Sequence, residues 1–442
     1  MNILHEINCE SRAMPGLDYS VLQKCMRCGF CLAVCPTYNA TKIEKHSPRG
    51  RIALARAIAD GKMELTDSFA KEIYYCLGCL ACASACPAGV QYAEIFEYIR
   101  AEVEKKRLMR SWLRRFVRWF TVKWLFMDLK RLFLLGKIIR IYKKWGIQSF
   151  LRRSGLIKLL LEYLQYLESL TPDISPKQSA DLILPVVSAI GKRRYKVAML
   201  TGCVQDLIFS EINRDTVDVL AFNGCEVITP RNQPCCGSLH VHNGEIELAQ
   251  QLARRMIDLI PPEEFDAIIS NAGGCGSHLK NYGKLLMNDP QYADRARLWD
   301  TKLKDIHEWL YEIGIRPLPK HEPGGEQLVT YHDSCHLVHG QKIAEEPRFL
   351  LSQIPGLKLI ELPESTWCCG SAGIYNITQP EMSEWLLQRK IDNILATGAQ
   401  TVATANTGCL LQLINGFRKR GVNIRVVHPI TLLAEAYRRN AS

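Results

Sequence analysis

Eight cysteines form two copies of one pattern, at residues 25–35 and 76–86. Each copy reads C-x2-C-x2-C-x3-C and is followed by a proline, Pro36 or Pro87. Three thiolates at this spacing ligate one 4Fe-4S cluster, while the fourth points away and ligates the neighbouring cluster. Zinc sites are the main alternative, but they favour paired C-x2-4-C motifs over this triple spacing. The pattern therefore predicts two 4Fe-4S clusters and a role in electron transfer.

The crossed position of the fourth cysteine predicts which thiols hold each cluster. We expect the first cluster to be held by Cys25, Cys28, Cys31 and Cys86, and the second by Cys76, Cys79, Cys82 and Cys35. Arg49 and Arg51 lie between the two copies and have two interpretations of similar weight. They reach a cluster sulfur or an acidic partner, or they simply form the solvated start of a helix.

Eight further cysteines belong to an internal repeat in the second half of the chain. The first copy contains Cys203, Cys235, Cys236 and Cys275, and the second contains Cys335, Cys368, Cys369 and Cys409. The spacings agree to within one residue, and a glycine follows each Cys-Cys pair. A cubane cluster, a zinc ion, a redox-active thiol pair and a vacant remnant are all open interpretations. Among the nearby histidines, His332 and His336 beside Cys335 form the one group that we would test as ligands.

Short strand-like runs precede these cysteines and predict how they are positioned. The runs VAML, EVIT and AIIS in the first copy correspond to LVTY, LKLIEL and TVAT in the second. Helical stretches separate them, such as 245–259 and 381–396. Functional groups of α/β folds collect at the carboxyl ends of parallel strands. Each copy should therefore gather four thiols at one edge of a small parallel sheet.

The first hundred residues are predicted to be mostly helical around the clusters. Pro48 precedes an alanine-rich run that stops at Gly61, which are typical helix start and stop residues. A second helical stretch, 67–75, leads into Cys76.

Residues 105–158 form a basic segment with 17 Lys or Arg and one acid, Asp128. The whole chain has a net charge of +11, so the excess positive charge is confined to this segment. Apolar residues and four tryptophans follow helical spacing, and a separate basic stripe contains Arg107, Arg110, Arg114 and Arg118. A basic amphipathic helix rich in Trp and Leu is typical of contact with an anionic membrane surface. Docking of a partner subunit and packing on the cluster domain are the alternatives.

Several functions and locations are disfavoured by the sequence. No dinucleotide-binding G-x-G-x-x-G follows a predicted strand and no P-loop occurs, so hydride abstraction has no agent in this chain. No nucleic-acid-binding motif accompanies the basic segment, so we expect no nucleic-acid partner. The start, MNILHEINCESRAM, lacks the apolar segment of a signal peptide. We therefore expect reduced thiols in a cytoplasmic protein, with a peripheral position on the inner face of the membrane left open.

The order of these features resembles the iron–sulfur subunit family of glycolate oxidase. The resemblance rests on the double ferredoxin motif, CGFCLAVCPTY at 28–38, PRGRI at 48–52 and the two cysteine-rich "CCG" copies. It implies an electron-transfer subunit of a complex in which an FAD-containing partner oxidises a 2-hydroxy acid, glycolate, to glyoxylate. The acceptor would be a downstream molecule such as quinone, and the isolated chain would not be catalytic.

Two related families share this layout and remain as alternatives. They are heterodisulfide-reductase-like subunits and the third subunit of anaerobic glycerol-3-phosphate dehydrogenase. CCG domains of the heterodisulfide reductase type end in C-x-x-C, but the first of these cysteines is replaced here by Ala272 and Asn406. Loss of a thiol in both copies argues against thiol–disulfide catalysis by this chain.

The sequence therefore predicts a multidomain α+β protein. We expect an α-helical ferredoxin domain with two 4Fe-4S motifs at 1–104, a basic amphipathic helical linker at 105–194, and two repeated α/β CCG domains at 195–320 and 321–442.

Overall fold

The computed structural model describes residue 14 and residues 16–154, 162–318 and 326–439. The described residues form a helical N-terminal module, a helical linker and two parallel sheets flanked by helices, as the sequence predicts. The predicted helical linker is described only in part, because residues 155–161 lie outside the described ranges. Its description resumes with the helix Glu162–Ser169.

The N-terminal module is built from short helices around the cysteine motifs. The predicted helix after Pro48 spans Pro48–Ala59, and the Ser47 hydroxyl accepts a hydrogen bond from the Gly50 N–H at its start. Thr66 caps the helix before Cys76 in the same way. The helices are Tyr19–Gln23, Phe30–Ala33, Pro36–Thr41, Glu44–His46, Pro48–Ala59, Asp67–Tyr74, Ala81–Ser84 and Tyr92–Lys105. Their apolar faces form one core that holds the motifs in place.

The linker is helical and packs on the first sheet domain. Val122, Leu125 and Leu132 are buried, and the last two join a core with residues of the first repeat. Its helices are Trp112–Arg118, Trp119–Leu125 (a π-helical segment), Leu129–Lys144, Ile147–Arg153, Glu162–Ser169 and Ser179–Leu182. No helix in the described ranges has both the length and the apolar character needed to span a bilayer.

The prediction that four arginines form one basic stripe on the linker is wrong for two of them, because acidic side chains pair with both. Arg114 forms an ion pair with Glu104, and Arg118 bridges Glu104 at 3.1 Å and Glu245 at 2.8 Å. The sequence pattern showed these charges but not the acids on neighbouring modules that neutralise them. Arg107 and Arg110 are exposed, as predicted.

Each repeat forms a parallel sheet with the same strand order. The strands are β1 (Val186–Val187), β2 (Tyr195–Met199), β3 (Cys225–Ile228), β4 (Ala267–Ser270), β5 (Leu303–Asp305), β6 (Gln327–Tyr331), β7 (Leu357–Ile360), β8 (Thr401–Ala403) and β9 (Arg425–Val427). The first sheet has the order β1-β3-β2-β4-β5 and the second β7-β6-β8-β9. Only β1 runs antiparallel to its neighbour, β3. The order β3-β2-β4-β5 therefore corresponds strand by strand to β7-β6-β8-β9, which confirms the internal repeat.

Helices flank both sheets and join the two repeats. Those of the first repeat are Val204–Phe222, Ser238–His242, Ile246–Leu259, Pro262–Glu264, Gly273–Leu279, Tyr282–Leu285, Ala293–Lys302 and Ile306–Ile313. Those of the second are His336–Gln341, Glu345–Ser352, Tyr375–Thr378, Pro380–Ala396, Thr407–Arg420 and Pro429–Arg438. One apolar core contains residues of both repeats, and the Phe222 and Tyr437 rings stack across it at 5.0 Å. The repeats therefore pack as one body.

Candidate functional site

The first ferredoxin thiols surround a cavity at the edge of the N-terminal module. Cys25, Cys28, Cys31, Cys82 and Cys86 all line it. Cys86 thus lies beside the first three cysteines of the other copy, the arrangement that crossed ligation requires. Burial raises the pKa of Cys31 to about 11. Thiols held together in this way bind a cluster well, because iron supplies the positive charge that lets them ionise.

The second ferredoxin thiols lie deeper in the molecule. Burial raises the pKa of Cys82. The neighbouring thiols, which include Cys79, Cys76 and Cys35, raise it further. Cys35 is buried, and its sulfur lies 3.3 Å from the Thr37 hydroxyl. The four thiols predicted for the second cluster therefore share one neighbourhood. The ligand assignment itself stays a prediction.

Two side chains beside this second group supply positive charge and a hydrogen bond. Arg51 is 1% exposed, and its guanidinium donates to the Thr37 hydroxyl and the Glu72 carbonyl. Cys76 and Cys35 stabilise its charge, so Arg51 is a buried cation beside the predicted cluster and not a solvated helix start. The Tyr92 hydroxyl donates to Cys76 Sγ at 3.6 Å. Arg49 lines the cavity of the first thiol group, where it forms an ion pair with Glu44 at 2.7 Å and donates to the Arg27 carbonyl at 3.1 Å.

The first repeat brings its four predicted thiols together. Cys203 and Cys235 lie 3.8 Å apart, and Cys236 contacts Cys275. A hydrogen bond to Cys235, followed by burial, raises the pKa of Cys203 well above its ordinary value. Leu125 and Leu132 of the linker belong to the apolar core around these thiols. The linker therefore covers the first thiol group.

The second repeat gathers its four thiols in the same way but adds charged and imidazole groups. Cys368 contacts both Cys335 and Cys369, and Cys369 contacts Cys409. Hydrogen bonds from Cys368 and Cys409, together with His332, hold the pKa of Cys369 well below its ordinary value despite burial. Burial lowers the pKa of the nearby Lys390 to about 8. The second thiol group therefore lies beside an imidazole and a buried ammonium, and the first group has Leu200 at the position that corresponds to the imidazole.

The second ferredoxin thiols and the second repeat adjoin each other. Burial raises the pKa of Cys79, and the neighbouring thiol of Cys335 raises it further. Cys79 and Cys335 also pack against the same apolar cluster, which contains Cys368. The loop of Gly78 is held by His336, whose Nε2 donates to the Gly78 carbonyl at 2.9 Å. The Tyr375 hydroxyl donates to the Tyr75 carbonyl at 2.9 Å. These contacts fix the second cluster site directly against the second repeat.

A buried arginine joins the same cluster loop to the first repeat. Arg100 is 7% exposed and donates to the Cys76 carbonyl at 2.8 Å and to the His242 carbonyl at 2.6 Å. One of the two residues that replace the lost cysteines, Asn406, also joins the repeats. Asn406 Oδ1 accepts a hydrogen bond from the Gly274 N–H at 3.0 Å, and its amide lies 3.6 Å from Cys409 Sγ. A position that would carry a fifth thiol therefore serves as a contact between the two copies.

Sequence reasoning missed Tyr92, Arg100, Tyr375 and Lys390. None belongs to a cysteine motif, and each acts through partners far along the chain, such as the 142-residue separation between Arg100 and His242. A basic or aromatic residue on a helix that follows a cluster motif is the only available signal, and it is weak.

Family models match all three parts of the chain. Residues 21–90 match a 4Fe-4S dicluster domain, residues 113–171 match the linker region of glycolate oxidase iron-sulfur subunits, and residues 197–280 and 329–414 match a cysteine-rich domain. The chain therefore contains a 4Fe-4S dicluster domain followed by two cysteine-rich domains.

Curated relatives match this chain over most of their own length. The probable glycolate oxidase iron-sulfur subunit of Bacillus subtilis is 39% identical over 95% of both chains. The glycolate oxidase iron-sulfur subunit of Escherichia coli is 30% identical over 94% of this chain and 95% of its own. Lactate utilization protein A of Oceanobacillus iheyensis is 30% identical, but it covers only 54% of this chain. By near-complete coverage and matching modules, this chain belongs to the family of glycolate oxidase iron-sulfur subunits.

Proposed function

We propose that this chain is the electron-transfer subunit of a glycolate-oxidising complex. In this proposal an FAD-containing partner subunit oxidises glycolate to glyoxylate, and this chain carries the electrons to an acceptor such as quinone. The flavin supplies the hydride chemistry in the partner. The thiol groups of this chain hold the centres through which the electrons leave. Membership of the glycolate oxidase iron-sulfur subunit family supports the substrate, and the arrangement of the thiol groups supports the role.

The observation that carries the proposal is the continuity of the thiol groups. The two ferredoxin groups adjoin each other at Cys82, which belongs to the second group and also lines the cavity of the first. Cys79 of the second group then adjoins Cys335 of the second repeat. Redox centres held at these positions would be neighbours. The distance for electron transfer from one centre to the next would therefore be short.

Reconstitution with the flavoprotein tests the proposal. We expect the anaerobically purified chain to leave glycolate unoxidised with any artificial dye, and the complex to reduce the clusters when glycolate is added. Cys79→Ser should interrupt this reduction beyond the first cluster, because it removes a ligand of the second cluster. Cys225→Ala is the matched control, since Cys225 is buried in β3 and belongs to none of the four thiol groups.

Two results would contradict the proposal. One is glycolate turnover by homogeneous chain that contains no flavin. The other is full reduction of every centre in the Cys79→Ser complex at the rate of the wild type.

We also propose that the linker rests on an anionic membrane surface. Trp112, Phe116 and Trp119 are 73%, 54% and 52% exposed, so the aromatic side of this segment faces outward. Arg110 and Arg115 are exposed beside them. Aromatic side chains with neighbouring cations suit the boundary between lipid headgroups and acyl chains. Each Lys or Arg close to such a surface contributes about 1 kcal/mol, and salt weakens this contribution.

Liposome flotation separates the membrane from a docked partner. We expect the wild type to float with vesicles that contain anionic lipid and to float less as salt rises. Joint replacement of Trp112, Phe116 and Trp119 by serine should abolish flotation. The control replaces three exposed apolar residues outside the linker, Met63, Met287 and Leu395. Wild-type protein that stays with the unbound fraction, combined with loss of flavoprotein copurification in the aromatic variant, would instead identify a partner-docking surface.

A further inference from the structure

His332 is a buried histidine with one free ring nitrogen beside the thiols of the second repeat. It follows β6 directly and is 0% exposed. Its Nδ1 lies 2.9 Å from the Ser365 carbonyl oxygen. Its Nε2 is buried and has no hydrogen-bond partner within the described part of the chain. A buried polar nitrogen without a partner is costly, so its retention calls for a ligand.

The hydrogen bond at Nδ1 fixes which nitrogen is available. A carbonyl oxygen only accepts, so Nδ1 must carry the proton and donate it to Ser365. Nε2 of the neutral ring then has an unshared lone pair. Metal-bound histidines are oriented in this way, with the second ring nitrogen donating to a carbonyl or carboxylate. Lys390 also donates to the Ser365 carbonyl, at 3.3 Å, and helps to hold that oxygen in place.

The surrounding thiols complete a set of ligands. A ring nitrogen of His332 and the sulfurs of Cys369 and Cys409 all lie within 4.8 Å of one another. Ligands of one tetrahedral metal ion at 2.0–2.3 Å are separated by about 3.3–3.8 Å. Small side-chain movements would therefore bring these three atoms onto one ion. Cys368 contacts Cys369 and is the candidate for a fourth ligand.

The first repeat has no counterpart of this imidazole. The backbone N–H of His332 donates to Ala403 in β8, and that of Leu200 donates to Ile269 in β4, each at 2.9 Å. Both residues stand three positions before the first cysteine of their repeat. The same backbone position therefore carries a metal-ligating ring in one copy and an aliphatic side chain in the other.

We propose that the second repeat binds a thiophilic transition metal through a mixed set of imidazole and thiolate ligands, with His332 Nε2 beside Cys369 and Cys409. The metal is either a zinc ion or an iron of a cluster, and both accept this combination. Each thiol that binds releases its proton as the metal–sulfur bond forms. At the position of His332 the first repeat has Leu200, so the duplicated domains differ in the side chain that they place beside their thiols. The proposal is independent of the substrate that the partner oxidises.

The charge around the site agrees with an anionic centre. Lys390 is 2% exposed, and its ammonium donates to the carbonyls of Glu364 and Ser365. The Glu364 carboxylate is itself bound by Arg389. A buried ammonium that rests on carbonyls is stabilised by negative charge nearby. A divalent ion with three thiolates and one imidazole supplies one such charge.

Spectroscopy of the full-length chain tests the assignment without relying on activity. The chain is reconstituted anaerobically with iron and sulfide or with zinc, and its metal content is measured. For iron, pulsed EPR of protein labelled with 15N-histidine reports a nitrogen bound to the centre. For zinc, X-ray absorption reports a nitrogen at about 2.0–2.1 Å beside sulfur at about 2.3 Å. We expect one of these nitrogen signals in the wild type, in addition to the two all-thiolate ferredoxin clusters.

Two variants connect the signal to His332. His332→Leu copies the residue of the first repeat and should lose the nitrogen signal together with metal from the second repeat. His332→Cys should keep the metal and lose only the nitrogen. His240→Asn is the control, because His240 is a buried histidine of the first repeat that binds the Val122 carbonyl. Ferredoxin cluster signals of unchanged intensity show that each variant is folded.

The proposal is overturned if the wild type shows only sulfur ligands. It is also overturned if the reconstituted chain binds no metal beyond its two ferredoxin clusters, or if His332→Leu leaves the metal content and the spectra unchanged.

Discussion

Replacing Tyr92 by phenylalanine should lower the reduction potential of the second ferredoxin cluster. The Tyr92 hydroxyl donates to Cys76 Sγ at 3.6 Å, and Cys76 is a predicted ligand of that cluster. Burial raises the pKa of Tyr92, so the hydroxyl keeps its proton near neutral pH. Reduction adds negative charge to the cluster and its sulfurs, so this hydrogen bond is stronger in the reduced state. Its removal therefore disfavours reduction.

The size of the effect follows from the strength of the bond. A hydrogen bond to a charged group contributes about 1.5–3 kcal/mol, and only its difference between the two redox states changes the potential. For a bond of this length, a difference of about 0.5–1.5 kcal/mol is reasonable. Since about 1.4 kcal/mol corresponds to 59 mV for one electron, we expect the potential to fall by about 20–60 mV.

An anaerobic redox titration followed by EPR measures this change. Only one of the two cluster signals should shift, because Tyr92 bonds to a single cysteine sulfur. Tyr74→Phe is the control, since the Tyr74 hydroxyl donates to Glu104 at 2.6 Å and not to a sulfur. Both variants should contain as much iron and sulfide as the wild type. This comparison separates a change in potential from a loss of cluster.

Three outcomes would refute the reasoning. An unchanged potential would show that the hydroxyl does not stabilise the reduced cluster. A rise in potential would mean that the sign of the argument is wrong. Equal shifts in Tyr92→Phe and Tyr74→Phe would indicate a general change in packing instead of the bond to Cys76.

Two further predictions concern metal content and pH. Anaerobically purified chain should contain about eight iron and eight sulfide in the ferredoxin module, and Cys28→Ser should remove about half of each; stoichiometric zinc without labile sulfide would contradict this. Burial raises the pKa of Glu97 to about 7 from 4.5. The folded state therefore keeps a proton that the unfolded state loses, and stability falls as pH rises from about 4.5 to 7. Glu97→Gln should remove this fall, on the order of 1–3 kcal/mol, and raise the melting temperature at pH 8 more than at pH 5; an equal change at both pH values would count against it.

Local patterns predicted the elements well, because they depend on residues close in sequence. The AIIS run is β4 over the predicted residues, and the predicted helix over 381–396 spans Pro380–Ala396. The thiol groups could also be predicted, since the carboxyl ends of parallel strands meet at one sheet edge. The environment of individual charged side chains could not be predicted from the sequence. In the sequence, Arg51 and Arg118 look like ordinary basic residues. Contacts between distant segments bury Arg51 and pair Arg118 with Glu245.

The two repeats share a fold but contact different parts of the chain, so the two copies are not equivalent. The second thiol group adjoins Cys79 of the second cluster, whereas the first is packed against Leu125 and Leu132 of the linker. The thiols of the second repeat therefore lie beside a predicted cluster ligand, and those of the first repeat lie beside the linker. Because the repeats pack as one body through contacts such as Asn406 to Gly274, the distance between these two positions is fixed. The same sheet, used twice, thus holds one thiol group against the cluster module and the other against the linker.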